Sequence, residues 1–290
     1  MGKFILSFKR KGTIPPVTPD QPETPSVPDL DKLSFLPKPI SKFTIDDIGT
    51  TVSIPYTDGG GVIKNPIVFE VVGVNLHTTK EHQKTITLMS KNTVRRVAFD
   101  AKETNNPDTK RQMYGNNRWS ISNVRQWLNS DKAADEWFTK QHEYDEAPVS
   151  GKVSSSNGIY ANKPGFLAGF EPEVIEHLTE ITNITAIPVL DGGGYEETYD
   201  KVFLPSYTEI GFGSDGDSSE GIKFSKFTDN ASRIKSGQGT SYWLRSPYIL
   251  GTSGVGSRHF TPCAVTYEGA IGAFEAFLGT HGVTPIIVLH

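Results

Sequence analysis

Apolar positions along this chain fall mainly into short runs and alternations of the kind strands show. Ile67 to Val74 and Thr85 to Met89 alternate well enough to be strands, Val52-Ser53-Ile54 is a shorter candidate, and Val94 to Phe99 adds another. Later, Ile184 to Leu190 and Val202 to Leu204 read the same way. The final apolar run, Val283-Thr284-Pro285-Ile286-Ile287-Val288-Leu289, reads as a closing strand. Helical spacing is confined to two places. Trp119 to Tyr144 has Ser120 or Ser122 as a cap, one face of Val124, Trp127 and Leu128, and a second of Ala134, Trp137 and Phe138 after a break at Asn129-Ser130-Asp131. The other begins at Glu171-Pro172, with proline in the first turn and Val174, Ile175, Leu178 and Ile181 at helical intervals. Asp58-Gly59-Gly60-Gly61 and Asp191-Gly192-Gly193-Gly194 punctuate the pattern as two turns. The pattern predicts an α+β body: mainly antiparallel sheet, two amphipathic helices and long loops.

The first forty residues behave differently. Phe4-Ile5-Leu6-Ser7-Phe8 is apolar and β-prone with no neighbour of its own to bury against, so it is either a frayed tail or an anchor whose strand adds to a sheet on another subunit. Prolines at 15, 16, 19, 22, 25, 28, 37 and 39 then make an extended, semi-rigid spacer. The expected organisation is an anchor arm over 1–12, a proline-rich linker over 13–42 and a body over 43–290. Within the body, 43–118 is the β-rich part and 119–290 carries the helices and a loop-rich core. Deleting residues 1–39 is expected to leave a folded domain, because few contacts cross such a spacer.

Composition narrows the function classes. With 290 residues, 36% of them hydrophobic and 21% charged, the chain has room for a sizeable core. A formal net charge of −4 gives no general attraction to nucleic acid or to an anionic membrane. The N-terminal apolar run is too short for a secretory signal, Met1-Gly2 lacks the myristoylation spacing, and no transmembrane segment is expected. One cysteine, Cys263, excludes an internal disulfide framework.

No catalytic residue, metal or cofactor is expected from the remaining chemistry. The histidines at 77, 82, 142, 177, 259, 281 and 290 form no zinc-binding pattern and are expected mostly at the surface. Cys263 reads as a small buried hydrophobe. Asp215-Gly216-Asp217-Ser218-Ser219-Glu220 lacks the spacing of a calcium loop and reads as a solvated acidic loop. A carboxylate pair for hydrolysis stays open, since the relevant separation is spatial. Trp127 and Trp243 are expected as core anchors, and Arg245 as a buried cation held by backbone carbonyls or a carboxylate. Between Tyr248 and His281, aromatic and arginine side chains stand among glycines. Tyr248, Arg258, His259 and Tyr267 are expected to be exposed there and to bind a ligand or partner.

The corner Trp243-Leu244-Arg245-Ser246-Pro247, the glycine-rich stretch after it and the Gly282-Val283-Thr284-Pro285-Ile286-Ile287 ending resemble the C-type-lectin-like fold. More narrowly, they resemble an uncharacterised domain family of phage and prophage proteins of Gram-positive bacteria and of some bacterial surface proteins. Ile86 to Ser90, Ser122 to Asn129 and Lys201 to Ser206 fit that family too, so the resemblance spans most of 43–290. It implies a C-type-lectin-like body without calcium-dependent sugar binding, because the Glu-Pro-Asn or Gln-Pro-Asp and Trp-Asn-Asp motifs are absent. Formylglycine-generating enzymes share that fold, but their metal-binding cysteines are missing here. The implied function is a non-enzymatic virion structural protein in the capsid, tail, baseplate or fibre, assembled in the host cytoplasm. It would join other virion proteins through Phe4, Ile5, Leu6 and Phe8, bind a host surface glycan or protein through its loops, and form a homo-oligomer on the particle. The alternatives are a bacterial surface adhesin and an enzyme acting on cell-wall carbohydrate.

Overall fold

A computed structural model describes residues 33–58, 63, 65–213, 219–237, 241–248 and 260–290. Phe4, Ile5, Leu6, Phe8, Arg258 and His259, and most of the 215–220 acidic loop, lie outside the described residues. Asp31–His290 forms one compact unit.

Among the described residues the strands are β1 (Thr51–Ile54), β2 (Ile67–Val74), β3 (Ile86–Ser90), β4 (Arg95–Arg96), β5 (Ile181–Ala186), β6 (Tyr195–Asp200), β7 (Val202–Phe203), β8 (Tyr242–Pro247), β9 (Pro262–Val265), β10 (Ile271–Ala273), β11 (Gly282–Val283) and β12 (Ile286–Leu289). The helices are α1 (Thr109–Tyr114), α2 (Asn123–Leu128), α3 (Pro172–Glu176) and α4 (Asn230–Arg233). One sheet has the order β1-β2-β3-β12-β7, a second β10-β9-β8-β11-β4, and β5 pairs with β6 as a hairpin of its own. All pairings are antiparallel except that of β11 with β8. The fold is therefore α+β, mostly antiparallel sheet with short helices.

Two segments tie the large sheets together. The closing apolar run does not form one strand: β11 belongs to the second sheet and β12 to the first, with Thr284-Pro285 between them. Proline has no amide to donate, so a ladder breaks there. Residues 86–96 run antiparallel to it and make the same crossing. Ile286 pairs with Met89, Pro285 O accepts from Ser90 N at 2.9 Å, Val283 O accepts from Val94 N at 3.0 Å, and Gly282 pairs with Arg96. The core lies along this seam, with Phe69, Val71, Leu88, Phe99, Trp119, Trp127, Trp243, Val283, Ile287 and Leu289 all buried.

Several elements differ from the sequence expectation. The packed unit starts well before Phe43: Leu33, Leu36 and Ile40 are buried, and Ser34 donates to Glu173 from its amide at 2.8 Å and its hydroxyl at 2.5 Å. The last ten residues of the expected linker are thus part of the body. Helix α2 keeps Ser122 as its cap, with Ser122 Oγ accepting from Arg125 N at 3.3 Å, but no helix resumes over 131–144. There Asp135 takes a φ of 65°, outside helical space, and the backbone pairs instead with 161–167 through Asp135 N to Ala161 O, Gly165 N to Lys132 O and Leu167 N to Ser130 O. Helix α3 stops at Glu176, because Leu178 bridges to Leu289 and Ile181 is already strand. Of Val94 to Phe99 only Arg95 and Arg96 are in a ladder, and β5 ends before Pro188.

Candidate functional site

The β5–β6 hairpin has its polarity reversed. Its register pairs Thr182 with Tyr199, Ile184 with Glu197 and Ala186 with Tyr195 on one side, and Ile181 with Asp200, Asn183 with Thr198 and Thr185 with Glu196 on the other. The second side faces the body, and on it the polar Asn183, Thr185, Thr198 and Asp200 are buried beside a single apolar residue, Ile181. The first faces outward and carries Ile184, Tyr195 and Tyr199 at 41%, 52% and 58% exposure. Hydrophobic burial alone would place the rings and Ile184 inside and Asp200 and Glu196 outside.

Polar chemistry enforces the reversal. Asp200, with no exposure, accepts from Arg125 Nε at 2.6 Å, Trp119 Nε1 at 3.1 Å, Asn183 Nδ2 at 3.1 Å and Thr198 Oγ1 at 2.7 Å. Arg118 grips Glu196 with Nε at 3.0 Å and Nη2 at 2.6 Å from its two carboxylate oxygens. Arg111 pairs with Asp191 at the hairpin tip. Three arginines from α1, α2 and the segment between them thus hold three carboxylates of the hairpin through charge-assisted contacts, the Arg118–Glu196 pair through more than one bond. The connection needs its glycines: Gly192, Gly193 and Gly194 have φ of 96°, 71° and 92°. Together these contacts make a fixed two-stranded platform with two tyrosines on one face. They stand four positions apart, about 13 Å along the strand.

A second polar cluster lies within the body. Asp100 accepts from the amides of Asn116 and Asn123 at 3.0 and 2.9 Å, and burial, then Asp145 and Glu103, push its carboxyl well above the usual range. Asp145 accepts from Gln141 N at 2.8 Å and Asn123 Nδ2 at 3.2 Å, and burial raises it as well. Glu103 accepts from Asn116 Nδ2 at 3.1 Å and from Asn106. His142 Nε2 stands 3.3 Å from Glu103 Oε1, close enough for an ion pair without hydrogen-bond alignment, and is raised by that carboxylate. The three carboxylates are buried and each is engaged by amide groups of the 100–145 segment, an arrangement that fixes loops.

The residues singled out from sequence are placed as follows. Trp127 and Trp243 are buried, with indole N–H groups donating to Pro164 O and Val97 O at 2.9 Å each. Arg245 is buried and donates to Leu204 O, Glu220 O and both oxygens of Glu209. Tyr248 is half-buried against the core and its amide donates to Thr261 O at 2.8 Å, ahead of β9. Tyr267, at 64% exposure, sits in the turn after β9, so the structure places these two tyrosines at opposite ends of that strand. His281 is buried and His77 half-buried, with burial lowering both imidazoles, contrary to the surface expectation for these two histidines. Glu220 is buried too, accepting from Ala186 N at 3.0 Å and Ser246 Oγ at 2.7 Å, and so is a structural anchor of the acidic loop. Cys263 is a buried free thiol, pushed well up by burial and then by Glu220. Among the described residues no group of three or more His, Cys, Asp or Glu side chains is disposed to hold a metal, and no helix is long and apolar enough to cross a membrane.

The model of one protein family, described as a domain of unknown function (DUF6273), matches residues 83–290, more than two thirds of the chain. The chain belongs to this family. No curated protein and no solved structure matches it. The family domain begins at Gln83, so β1 and β2 precede it, yet β2 pairs with β3 and completes the first sheet. The hairpin platform lies wholly within the domain. Its outer face was readable in part: Tyr195, Glu197 and Tyr199 stand at alternate positions directly after Asp191-Gly-Gly-Gly, the signature of a strand leaving a turn. The charged residues between them masked it.

Proposed function

We propose that this chain is a non-enzymatic binding protein of a bacteriophage or phage-derived particle, a C-type-lectin-like body tethered by its proline-rich N-terminal segment. Its recognition surface is the outer face of the β5–β6 hairpin. The reversed polarity of that hairpin carries the reading: exposed Ile184, Tyr195 and Tyr199 stand on a platform whose inner side is locked by Arg118 and Arg125. Aromatic side chains on a rigid scaffold are the usual anchors of recognition, since their rings bring large area at little entropic cost. The partner is a glycan or protein of the host cell surface. Tyrosine rings offer flat apolar faces with a polar rim, and Glu197 between them supplies acceptor oxygens for hydroxyl groups. Tyr267, exposed in the β9–β10 turn, is a second contact. The Trp243–Pro247 corner and the closing segment shared between two sheets support the lectin-like scaffold.

Antibody against this chain, applied to purified particles and imaged by electron microscopy, tests the assignment. Regularly placed label on the particle surface is expected. Label confined to cell envelopes, with bare particles, would move the chain to a bacterial adhesin. Release of soluble sugar from isolated cell walls by the purified chain would replace binding with catalysis.

A further inference from the structure

A cationic pocket lies against strand β4. Strand β4 is the edge of the second sheet, and its register against β11 turns Arg95 inward and Arg96 outward. Arg95 is 5% exposed. Together with Arg96, Lys163, Ser156, Asn157 and Asn162 it lines a cavity of 380 Å³, within the size range of small-molecule sites. Among the described residues no carboxylate lines it.

Arg95 has an uncommon deficit. Its Nε and Nη1 are buried with no hydrogen-bond partner. The polar groups around it are committed elsewhere: Tyr56 Oη donates to Phe166 O and Tyr160 Oη to Ala98 O, each at 3.0 Å, and Asp58 accepts from Ile63 N at 2.7 Å. Burial lowers the Arg95 guanidinium, and the charge of Asp58, then Tyr56 and Tyr160, opposes that shift. A buried, underbonded guanidinium costs several kcal/mol unless an anion completes it. The rim supplies two more cations, Arg96 and Lys163, in a chain whose net charge is negative.

We infer that this pocket binds a phosphate group, with the Arg95 guanidinium bonded to its oxygens from below and Arg96 and Lys163 flanking it. The fork of a guanidinium matches the spacing of phosphate oxygens, and three cations, of which Arg95 alone feels the charge of a nearby carboxylate, favour a dianion over a monoanion. The cavity exceeds one phosphate, and Ser156, Asn157 and Asn162 provide hydrogen-bonding groups for a polyol attached to it, such as a sugar. The site stands independently of the hairpin face, and neither reading depends on the other.

The test is calorimetric titration and thermal melting of the full chain at constant ionic strength with inorganic phosphate, glucose 1-phosphate and dimethyl phosphate. Saturable binding of inorganic phosphate and of glucose 1-phosphate is expected, with a melting temperature that rises with the logarithm of their concentration. Dimethyl phosphate, a monoanionic diester, is expected to bind about tenfold or more weakly. Arg95→Met should melt higher than the wild type without phosphate, because an uncompensated buried charge is gone, and should lose phosphate binding by about ten- to a hundredfold. Lys163→Ala, at the half-buried rim, keeps the test independent of core repacking and should weaken binding while folding normally. The inference is overturned if phosphate acts no differently from chloride at equal ionic strength, if Arg95→Met binds phosphate as the wild type does, or if mono- and diester bind equally.

Discussion

Arg245 and Glu209 face each other through two parallel hydrogen bonds, Nη1 to Oε2 at 2.6 Å and Nη2 to Oε1 at 2.8 Å, with only 1% of either side chain exposed. The same guanidinium donates to Leu204 O and Glu220 O at 2.8 Å each, and thereby ties β8 to the segment after β7 and to the end of the acidic loop. Removing one member leaves the other charged and buried. Arg245→Ala is expected to cost about 3–5 kcal/mol in urea unfolding. Glu209→Ala should cost a similar amount, and the double variant less than the sum. A loss for Arg245→Ala of about half a kcal/mol, typical of surface positions, would contradict this role.

The N-terminal boundary makes a second prediction. A chain lacking residues 1–30 retains the whole compact unit and should melt as the full chain does. A chain lacking residues 1–42 loses buried Leu33, Leu36 and Ile40 and the Ser34 contact to Glu173. It should be less stable by about 4 kcal/mol or more, at the usual value of a buried aliphatic side chain. Equal stability of the two truncations would return residues 33–42 to the linker.

His281 makes the third. Its ring packs against Trp243 at 4.3 Å and Phe274 at 4.4 Å between centroids, and burial lowers it from 6.5 to about 4. The unfolded chain therefore takes up this proton first on acidification. Its contribution to stability is complete above about pH 6.5, declines as pH falls, and levels off near pH 4, for a total of about 3 kcal/mol. His281→Gln should flatten the stability profile between pH 7 and 4.5 relative to the wild type. Parallel profiles for the two proteins would show that the imidazole titrates in the folded state as it does in water.

How much of this was legible in the sequence depended on whether a residue's partners were near in the chain. Strands β2 and β3, apolar-rich runs buried along almost their whole length, were readable, and Ser122 capped α2 as its position suggested. The expected helix over 131–144 failed because its backbone bonds to 161–167, a partner that local spacing does not reveal. Strand β6 has few apolar residues, and its fold is set by carboxylates meeting Arg118 and Arg125 from distant parts of the chain. The Arg95 pocket follows from one register position against β11, near the C-terminus, and no motif announces it. The loops between Tyr248 and His281 drew attention through composition, but Tyr248 is half-buried and lies at the other end of β9 from Tyr267.

Attachment to the host surface tests the central claim most directly. Ile184→Ser, Tyr195→Ser and Tyr199→Ser together remove the outer face of the hairpin while leaving Asp200, Glu196 and their arginine partners in place. Because these side chains are exposed, the melting temperature should hardly change, each substitution falling within about half a kcal/mol. Binding of the purified chain to intact host cells, measured by sedimentation, should be lost in the triple variant and kept in Tyr248→Ser. Undiminished binding by a folded triple variant would contradict the assignment of this face.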